Sequence, residues 1–574
     1  MRENPSLEQR VAQLEAELVA AKSTIEALRR AYTRALEQLK LLRHRLYVAK
    51  AERADVAAEQ LALDLMTAEV AQLQAALDNA EADVAEGDGG KEGVRKPRAG
   101  HGRRKLEELD LPVVLVELTD PELEGKAERI GVEESSRLGH IRGGPCRVVV
   151  SRVVYKVEPP VTAAATAPPD TSSAPPAPTF VTAPLPRELV RRGLLAPSMI
   201  AHILGSKYLL GVPFYRLEQQ MALRGVPLDR GTMSRYAEDV GATLGAIVLA
   251  MRDEAMRTAF CLATDATGIC IQPGPVAERK VPKRGPCRKG HFFVVLADRD
   301  HVFFEFQAKH TSVAVCDMFR GFGGYIQADA HAVYDALFRG TPPQGTPPEP
   351  FAPPPLEVGC WSHARTNFWE AAICKHPLGV EGLRRADLIF AAERLLKDLS
   401  PAQRKARREV TVRPLVDAFF AWVRVERAKV QERGLVATAL GYALNQELPL
   451  RRFLDDGRLR LDNNASERAL RAIAAARKSW MFFGSDDHAS AAANIFSLVA
   501  SCKLHRLDPE AYLTEVVRVM PYWPRDRYLE LAPRYWAATR TRLDPKELAR
   551  ELGPITVPAV TVPVSASEQK TPTS

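Results

Sequence analysis

Three acidic residues have the chemical type and the settings that metal-dependent catalysis requires. Asp265 lies inside the β-rich run ATDAT, Asp329 closes the run YIQADA, and Glu467 lies in LDNNASERALR, where a helix is predicted to begin. If folding brings them together, the carboxylates repel one another unless cations bind between them. Mg²⁺ prefers such oxygen ligands. Because a pair of these ions supports in-line attack at a phosphodiester bond, the three acids predict strand cleavage or strand transfer.

Each acid also has an ordinary structural explanation. Asp265 fits a turn acid between strands, and Asp329 fits a cap for the helix that follows it. Glu467 fits a capping box with Asn464, or an ion pair with Arg471 one helical turn later. The spacing of three acids in 574 residues does not decide between these interpretations. The secondary-structure elements that position the acids are needed to choose between the catalytic and the structural interpretation.

The elements around the first two acids follow a definite order. AFCLATDATGICIQ is predicted to be a strand, and HFFVVLADRDHVFFEFQ to be two strands joined by a turn that contains Asp298. The helix TSVAVCDMFRGF and the strand GYIQADA follow. This order predicts a ribonuclease-H-like α/β catalytic core over 257–505, with a largely helical insertion at about 365–455. In such a core the first strand, the fourth strand and a later helix converge at one end of the sheet, which would unite the three acids.

The rest of the chain predicts further regions, and therefore a multidomain α+β protein. Apolar residues recur every seven positions over 7–46, which is typical of a coiled coil and favours a homodimer or a higher oligomer. We divide the remaining chain into a coiled-coil region at 1–86, a basic linker with a small module at 87–158, a Pro/Ala/Thr-rich linker at 159–186, a helical region at 187–256, and C-terminal helices with a disordered tail at 506–574. Within the helical region, a helix capped at Thr232 belongs either to a DNA-binding helix–turn–helix or to a plain connector.

The composition is that of a soluble globular protein with a basic excess. A net charge of +8 and a pI near 9.0 favour polyanionic partners such as nucleic acid. The eight cysteines contain no Cys-x-x-Cys pair, so neither a disulfide framework nor a zinc ribbon is indicated. The N-terminus is polar and no apolar run is long enough to span a bilayer. We therefore expect a cytoplasmic protein with no membrane partner.

Several motifs, in the same order, resemble those of the insertion-sequence-66 family of bacterial transposases, from about Pro184 to Leu513. LDNNASERALRAIAAARKSWMFFGS is similar to the family's DNN-x-x-ER and RK-x-x-x-F-x-GS motifs, and QADAHAVYD, GCWSHARTNF and DPEAYL also match. The resemblance implies a DDE transposase whose catalytic and metal-binding residues are Asp265, Asp329 and Glu467.

The resemblance also implies a cofactor and partners. We expect Mg²⁺ at the three acids, with Mn²⁺ as a substitute. The expected substrates are double-stranded DNA at the terminal inverted repeats of an insertion sequence and at its target. Small accessory proteins of the same element are further candidate partners, and the expected location is the nucleoid of a bacterial cytoplasm.

Two departures from the family's pattern bear on these expectations. The family usually has Asp-Glu-Thr at the first acid, whereas this chain has Asp265-Ala266-Thr267. The family also carries Cys pairs in the region corresponding to 120–157, where only Cys146 is present. Four zinc ligands cannot be assembled from it, so we expect a degenerate DNA-binding module without structural zinc. The alternatives to a transposase are a catalytically inactive, transposase-derived DNA-binding or oligomerising protein, and a structure-specific nuclease on the same fold.

Other polar residues near the third acid and the motif GCWSHAR are further candidates. Four basic residues on the predicted helix could contact the DNA backbone or could form a solvated basic face: Arg468, Arg471, Arg477 and Lys478. Cys360 and His363 resemble a Cys-x-x-His motif beside the second acid of such transposases. We interpret the pair as site-adjacent, and a buried cysteine with a core histidine is the alternative.

Overall fold

The structure is a computed structural model that describes residues 35, 37, 38, 106–157, 179–272, 287–340, 353–431 and 433–559. Apart from residues 35, 37 and 38, the predicted coiled coil at 1–86 lies outside the described residues. The basic run at 87–105, residues 159–178 of the Pro/Ala/Thr-rich linker and the tail at 560–574 also lie outside them. What the sequence predicts for these segments stays a prediction.

The chain divides into two compact units. Among the described residues, the sheet unit lies within Gly102–Glu357 and Asn463–Ser574, and the helical unit lies within Met1–His101 and Val358–Asp462. The described residues form helices and two mixed sheets, which confirms the expectation of a mixed α and β protein. The predicted helical insertion at about 365–455 falls within the second segment of the helical unit.

The first sheet of the sheet unit is built on a long hairpin. β2 (Glu128–Ile141) and β3 (Gly144–Val157) pair in antiparallel fashion, β1 (Val113–Leu118) runs parallel to β3, and β4 (Thr179–Thr182) pairs with the end of β3. Because β3 is central, its Val-rich sequence buries residues on both faces, as β-branched side chains favour. The predicted strand CRVVVSRVVYKVE is therefore confirmed.

Three helices follow the first sheet. They are α1 (Pro197–Leu204), which continues as a π-helical turn over Gly205–Leu209, α2 (Phe214–Leu223) and α3 (Arg230–Thr258). The cap of α3 is Asp229, whose carboxylate accepts the backbone N–H of Thr232 at 2.9 Å. The prediction that Thr232 caps this helix was wrong, because the aspartate three residues earlier provides the better placed oxygen. The buried stripe of α3 joins the main core through Val240, Leu244, Ile247 and Met251.

The second sheet has the strand order β7-β6-β5-β8-β9. Its strands are β5 (Cys261–Ile271), β6 (Arg288–Ala297), β7 (His301–Gln307), β8 (Tyr325–Gln327) and β9 (Leu356–Val358). β5, β6 and β7 form an antiparallel meander, and β8 pairs in parallel with β5. α4 (Ser312–Met318) connects β7 to β8, and α5 (Asp335–Arg339) follows β8. The predicted succession of three strands, a helix and a strand is present in full.

Asp298 is a turn residue, as the sequence predicts. It lies between β6 and β7 with φ of 49°. Its two carboxylate oxygens accept the backbone N–H groups of Phe260 and Cys261 at 2.7 and 3.0 Å. The side chain therefore satisfies the hydrogen-bond donors at the start of β5, and both of its oxygens have a structural role.

The helical unit contains six described helices. They are α6 (Trp361–Ile373), α7 (Pro377–Arg394), α8 (Pro401–Thr411), α9 (Arg413–Arg427), α10 (Leu435–Asn445) and α11 (Glu447–Arg451). Aromatic side chains fill its core, where Trp361 donates its indole N–H to the Leu450 carbonyl at 2.7 Å. The guanidinium of Arg408 is buried, pairs with Glu393 at 2.5 Å and also donates to backbone carbonyls, so this buried charge is satisfied.

The chain then returns to the sheet unit with five helices. They are α12 (Asn464–Trp480), α13 (Asp486–Leu504), α14 (Pro509–Val519), α15 (Pro533–Arg540) and α16 (Pro545–Ala549). α12 packs on β5, and α13 packs on β7, where the Ser497 hydroxyl accepts the N–H of Phe304 at 2.8 Å. None of the described helices combines the length and the apolar character needed to cross a bilayer.

Candidate active site

Asp265 lies at the middle of β5, the central strand of the second sheet. Its strand neighbour on β6 is Val294. Because side chains alternate along a strand, Asp265 shares a sheet face with Thr267 and Ile269. The carboxylate is half-buried, and its Oδ1 accepts the adjacent N–H of Ala266 at 2.7 Å. Asp265 is therefore a mid-strand acid and not the turn acid of the alternative interpretation.

Asp329 lies two residues beyond the end of β8. In the parallel pairing of β5 with β8, the last recorded pair is Ala263 opposite Gln327. Each acid lies two residues beyond its member of this pair, so Asp329 leaves β8 on the side towards which β5 carries Asp265. The next residue, Ala330, has a φ of 60°, which an L-residue adopts only at a conformational cost and which turns the chain sharply after the acid.

The hydrogen bonds after β8 show which residue caps the following turn. Asp329 Oδ1 accepts the N–H of His331 at 3.2 Å, and His331 Nδ1 accepts the N–H of Val333 at 3.3 Å. The cap of the short 3₁₀ turn is therefore His331 and not Asp329. The capping alternative for Asp329 was wrong, because the histidine ring lies two residues nearer to the turn.

Glu467 lies in the first turn of α12, but it does not belong to a capping box. The helix begins at Asn464, and the residue before it, Asn463, makes no side-chain cap. Instead, Asn463 Nδ2 donates to the Thr264 carbonyl at 2.7 Å, and its Oδ1 accepts the Ser466 hydroxyl at 2.7 Å. The predicted capping box with Asn464 was wrong, because the asparagine before the helix is used to attach it to β5.

Two polar contacts hold α12 along the same strand. Asn463 reaches the carbonyl of Thr264, and Arg477 Nη1 donates to Thr267 Oγ1 at 3.1 Å and also to the Gly268 carbonyl. Apolar side chains of α12, including Leu470 and Ile473, are buried between these two contacts. The anchored segment of the helix contains Glu467, and the anchored segment of the strand contains Asp265. The acid-bearing elements are thus fixed to each other.

A buried tyrosine lies close to the first two acids. Burial raises the pKa of the Tyr334 hydroxyl, and the negative charges of Asp329 and Asp265 raise it further. Tyr334 therefore stays protonated near both carboxylates. Its hydroxyl is buried, so it adds a protonated polar group on the side of β8 from which Asp329 follows.

Three histidines form a row beside Asp329. The ring centroids of His291 and His310 are 5.1 Å apart, and those of His310 and His331 are 4.5 Å apart. Burial lowers the pKa of His310, the neighbouring His331 and His291 lower it further, and Asp329 opposes the shift. The row therefore adds imidazole nitrogens, which can donate or accept hydrogen bonds, beside the second acid.

The three carboxylates do not form a closed ligand cage. In the described part of the chain, they do not form a set whose ligand atoms all lie within 4.8 Å of one another. All three are partly exposed oxygen donors. Mg²⁺ keeps several of its waters in proteins and is bound through a few carboxylates, so an open, solvent-reachable oxygen set suits it. The donor chemistry of these residues therefore fits hydrated divalent cations.

The four predicted DNA-contacting residues divide into two groups. Arg468, Arg471 and Lys478 are exposed, and their spacing places them on one face of α12. Arg477 differs, because its guanidinium is bonded to β5 and holds the helix in position. The three exposed residues are accessible to a DNA phosphate backbone, whereas Arg477 holds α12 against β5.

Cys360 and His363 belong to the helical unit, at the start of α6. Cys360 is buried and immediately precedes the helix, and His363 is partly buried in its first turn. His363 Nδ1 is buried and has no hydrogen-bond partner among the described residues. The buried cysteine agrees with the alternative interpretation, and the site-adjacent role stays a prediction.

Sequence reasoning missed several polar residues of the sheet unit. Tyr334 and the His291–His310–His331 row lie on several separate segments of the chain, so no local sequence motif predicts that they come together. Lys207 is also missed. It is buried in the π-helical turn, with its Nζ 4.1 Å from the ring centre of Phe214 and 5.4 Å from that of Trp480 in α12. Only the irregular helix, which often marks functional sites, distinguishes it.

A family model described as "Transposase IS66 family" matches residues 192–491, which contain all three acids. The chain belongs to the IS66 family of transposases. Two further models, "IS66 C-terminal element" and "Transposase C of IS166 homeodomain", match residues 497–534 and 34–116. The resemblance noted in the sequence is thereby confirmed.

Curated relatives of this IS66-family chain carry no stated activity. "Uncharacterized protein y4hP" of Sinorhizobium fredii is 28% identical over 385 residues, which is 62% of this chain and 64% of the relative. "Uncharacterized protein y4qI" of the same organism is 26% identical over 358 residues, 61% of this chain and 64% of the relative. The chain thus spans slightly less than two thirds of the length of these relatives.

The structure also bears on the departure from the family's pattern at the first acid. Ala266 follows Asp265 on β5, so its side chain points to the opposite face of the sheet. There it packs, partly buried, against the main core. The residue that replaces the glutamate of this IS66-family motif therefore does not lie on the face that carries Asp265 and faces α12.

Proposed function

We propose that this protein is a DDE transposase on a ribonuclease-H-like core. It cuts DNA at the terminal inverted repeats of an insertion sequence and joins the exposed 3′-hydroxyls to target DNA. The observation that carries the proposal is the attachment of α12 to β5, which joins the segment around Glu467 to the segment around Asp265. The strand order β7-β6-β5-β8-β9 and the parallel pairing of β5 with β8, in which Asp265 and Asp329 each lie two residues beyond the last recorded pair, support the same core.

The carboxylates of Asp265, Asp329 and Glu467 would hold Mg²⁺, or Mn²⁺ in its place. Bound there, a pair of divalent cations would activate a water or a 3′-hydroxyl and stabilise the leaving oxygen. The contribution of the chain itself is to hold three negative side chains in position while leaving them open to solvent. The hydrogen bond from Ala266 N–H to Asp265 Oδ1 fixes one of the two oxygens of that carboxylate.

DNA would be bound through the exposed face of α12. Arg468, Arg471 and Lys478 project from the helix that also carries Glu467, so phosphates bound there would lie near the acids. The N-terminal heptad region would pair two protomers, so that two transposon ends are processed together. The net charge of +8 agrees with a nucleic-acid partner. Small accessory proteins of the same element would act as further partners.

A second candidate function is a catalytically inactive, transposase-derived DNA-binding protein. Ala266 in place of the family's glutamate and the Cys-poor module at 120–157 favour it. Both departures concern residues outside the acid triad, so all three carboxylates of the triad are retained. We therefore rank the active enzyme first.

Mg²⁺-dependent cleavage is the test. Labelled duplexes tiled across the DNA that flanks the gene would be incubated with the full chain, because its inverted repeats are expected there. We expect cleavage at one or both repeats and loss of at least about 10²–10³-fold in rate for Asp265→Ala, Asp329→Ala and Glu467→Ala. Asp487→Ala, which removes an exposed acid from the first turn of α13, is the matched control and should cleave normally. Binding of the repeats by a wild type that is as inert as the variants would favour the inactive binder.

A further inference from the structure

A second group of potential metal ligands lies in the sheet unit, on elements that carry none of the three acids. His140 is close to the end of β2, His202 is in α1, and Glu510 is in the first turn of α14. One ligand atom of each lies within 4.8 Å of the ligand atoms of the other two. All three side chains are partly buried, and the proposed transposition chemistry uses none of them.

We propose that His140, His202 and Glu510 bind one Zn²⁺ ion, which ties the β2–β3 hairpin to α1 and α14. Two nitrogens and one oxygen form a ligand set typical of zinc, whereas Mg²⁺ prefers oxygen alone. A water would complete four-coordination. This site departs from our expectation of no structural zinc, which considered only cysteine ligands.

The three side chains are already associated without an ion. His202 Nδ1 and Glu510 Oε1 are 3.1 Å apart. The rings of His140 and His202 are stacked, with centroids 3.8 Å apart and an angle of 8° between their planes. The backbone N–H of His140 donates to Ser198 Oγ at 2.9 Å, which anchors the strand end to α1. The backbone positions are therefore fixed, and only side-chain rotations separate this arrangement from a ligand set.

One part of the arrangement must change when an ion binds. An imidazole nitrogen binds a metal in the plane of its ring, so two parallel rings 3.8 Å apart have to tilt. His202 is free to do so, because its Nε2 is buried but has no hydrogen-bond partner among the described residues. Access exists, since the His202 and Glu510 side chains are 16% and 37% exposed.

Two other residues of the sheet unit provide informative comparisons. His488 and Glu238 also form a His–Glu pair, at 3.0 Å, and it is not part of a three-ligand group among the described residues. His488 therefore serves as a matched control. Arg224 places its guanidinium against Gly144 at the start of β3, close to the end of β2 that carries His140. Its positive charge would therefore repel an ion bound there. Removing that charge should strengthen metal binding.

The experiment is a Co²⁺ titration of the full chain, prepared without a histidine tag, followed by optical absorption and isothermal calorimetry. Co²⁺ reports a tetrahedral nitrogen and oxygen site through its visible bands, and excess Mg²⁺ occupies the carboxylate triad. We expect one Co²⁺ per chain, displaced by Zn²⁺. His140→Asn and His202→Asn should abolish the bands, and Glu510→Gln should weaken binding by about 10–100-fold or more. His488→Asn should bind normally, and Arg224→Ala should bind more tightly.

Three results would overturn the inference. They are an absence of saturable Co²⁺ binding, binding that persists in both histidine variants, and binding that is lost with Asp265→Asn and Asp329→Asn instead. Circular dichroism of the metal-free variants distinguishes ligand loss from unfolding. If His140→Asn fails to fold, the Arg224→Ala comparison still decides, because an unchanged affinity would show that the ion does not bind at His140.

Discussion

The two candidate cation sites of the sheet unit differ in ligand chemistry and in how the chain presents it. Asp265, Asp329 and Glu467 offer only oxygen ligands. They lie within strand β5, just after strand β8 and in the first turn of α12, respectively. The His140–His202–Glu510 group offers two nitrogens and one oxygen, from a hairpin and two helices. Hard Mg²⁺ should prefer the first set and Zn²⁺ the second. Within one compact unit, the carboxylate site would thus have a catalytic role and the histidine site a structural role, and their ligand types would direct a different ion to each.

The sites also differ in their charge before any ion binds. Three neighbouring carboxylates repel one another, so bound cations are needed to stabilise their arrangement. The second group contains one carboxylate, 3.1 Å from His202 Nδ1, and a second imidazole ring, that of His140, stacked on the ring of His202. It can persist without an ion. We therefore expect metal removal to stop cleavage while leaving most of the fold of the unit in place.

The largest expected effect separates the two sites. Asp265→Asn should lower Mg²⁺-dependent cleavage by at least about 10²–10³-fold while Co²⁺ binding at the histidine group stays at one ion per chain. His202→Asn should do the reverse and keep cleavage within about tenfold of wild type. The measurements are cleavage of the labelled transposon end and Co²⁺ absorption on the same preparations. A loss of both properties in either variant would contradict the separation.

The next effect concerns the basic face beside the oxygen site. Replacing Arg468, Arg471 and Lys478 together by Ala should weaken DNA binding uniformly across sequences. It should also reduce the slope of log affinity against log salt by about 3, or about 1 for each lost phosphate contact. Fluorescence anisotropy at several salt concentrations measures this slope. The control removes three exposed positive charges from the helical unit: Lys397, Lys405 and Arg407. An equal change in that control would contradict a specific role for α12.

A smaller effect should come from Lys207, a buried cation among aromatic rings. Burial lowers its pKa to about 8. At pH 7 the folded chain holds a charge that prefers water, so Lys207→Met should raise the free energy of unfolding by about 1–3 kcal/mol. Between pH 8 and 10.5 the unfolded lysine binds more protons than the folded one, so wild type gains stability as the pH rises. The difference in melting temperature between variant and wild type should therefore shrink over this range.

A lower melting temperature for Lys207→Met at pH 7 would show that cation–π contacts outweigh the cost of burial. Lys503→Met is a suitable control, because Lys503 is an exposed lysine of the last turn of α13. Its effect on the melting temperature should be small at every pH.

The smallest expected effect is at the residue that departs from the family's pattern. Ala266→Glu restores the family's Asp-Glu-Thr order, but position 266 faces away from Asp265 across the sheet. We expect the cleavage rate to stay within about threefold of wild type, with some loss of stability because Ala266 packs against the core. A gain of activity from an inert wild type would instead favour the inactive-binder interpretation. The same cleavage assay and a thermal melt measure both quantities.

Local patterns predicted the elements of this fold well. The order of strands and helix from β5 to β8 and the turn at Asp298 follow from alternation and turn chemistry, which act over a few residues. Cap positions were less predictable. Thr232 and Asn464 are both residue types that cap helices, but the residues at the N-cap positions are Asp229 and Asn463. The side chain of Asn463 binds the carbonyl of Thr264, which is distant in the sequence, and local sequence rules do not include such a contact.

Long-range groupings show the limit of sequence reasoning most clearly. The three acids could be grouped because their motifs resemble a known family. His140, His202 and Glu510 lie in three separate elements and match no ligand spacing, so only the folded chain brings them together. Within 120–157, His140 is the only histidine and Cys146 the only cysteine, so the local sequence does not indicate a zinc site.

The division of the chain into units has a consequence for how this protein can change over time. The polypeptide leaves the sheet unit after Glu357 and re-enters at Asn463, four residues before Glu467. The whole interval between these points can lengthen, shrink or be exchanged while Asn463 continues to attach the returning helix to β5. Entropic penalties for closing longer loops grow only slowly. A lineage could therefore remodel the helical unit, and whatever it recognises, while inheriting the third acid unaltered.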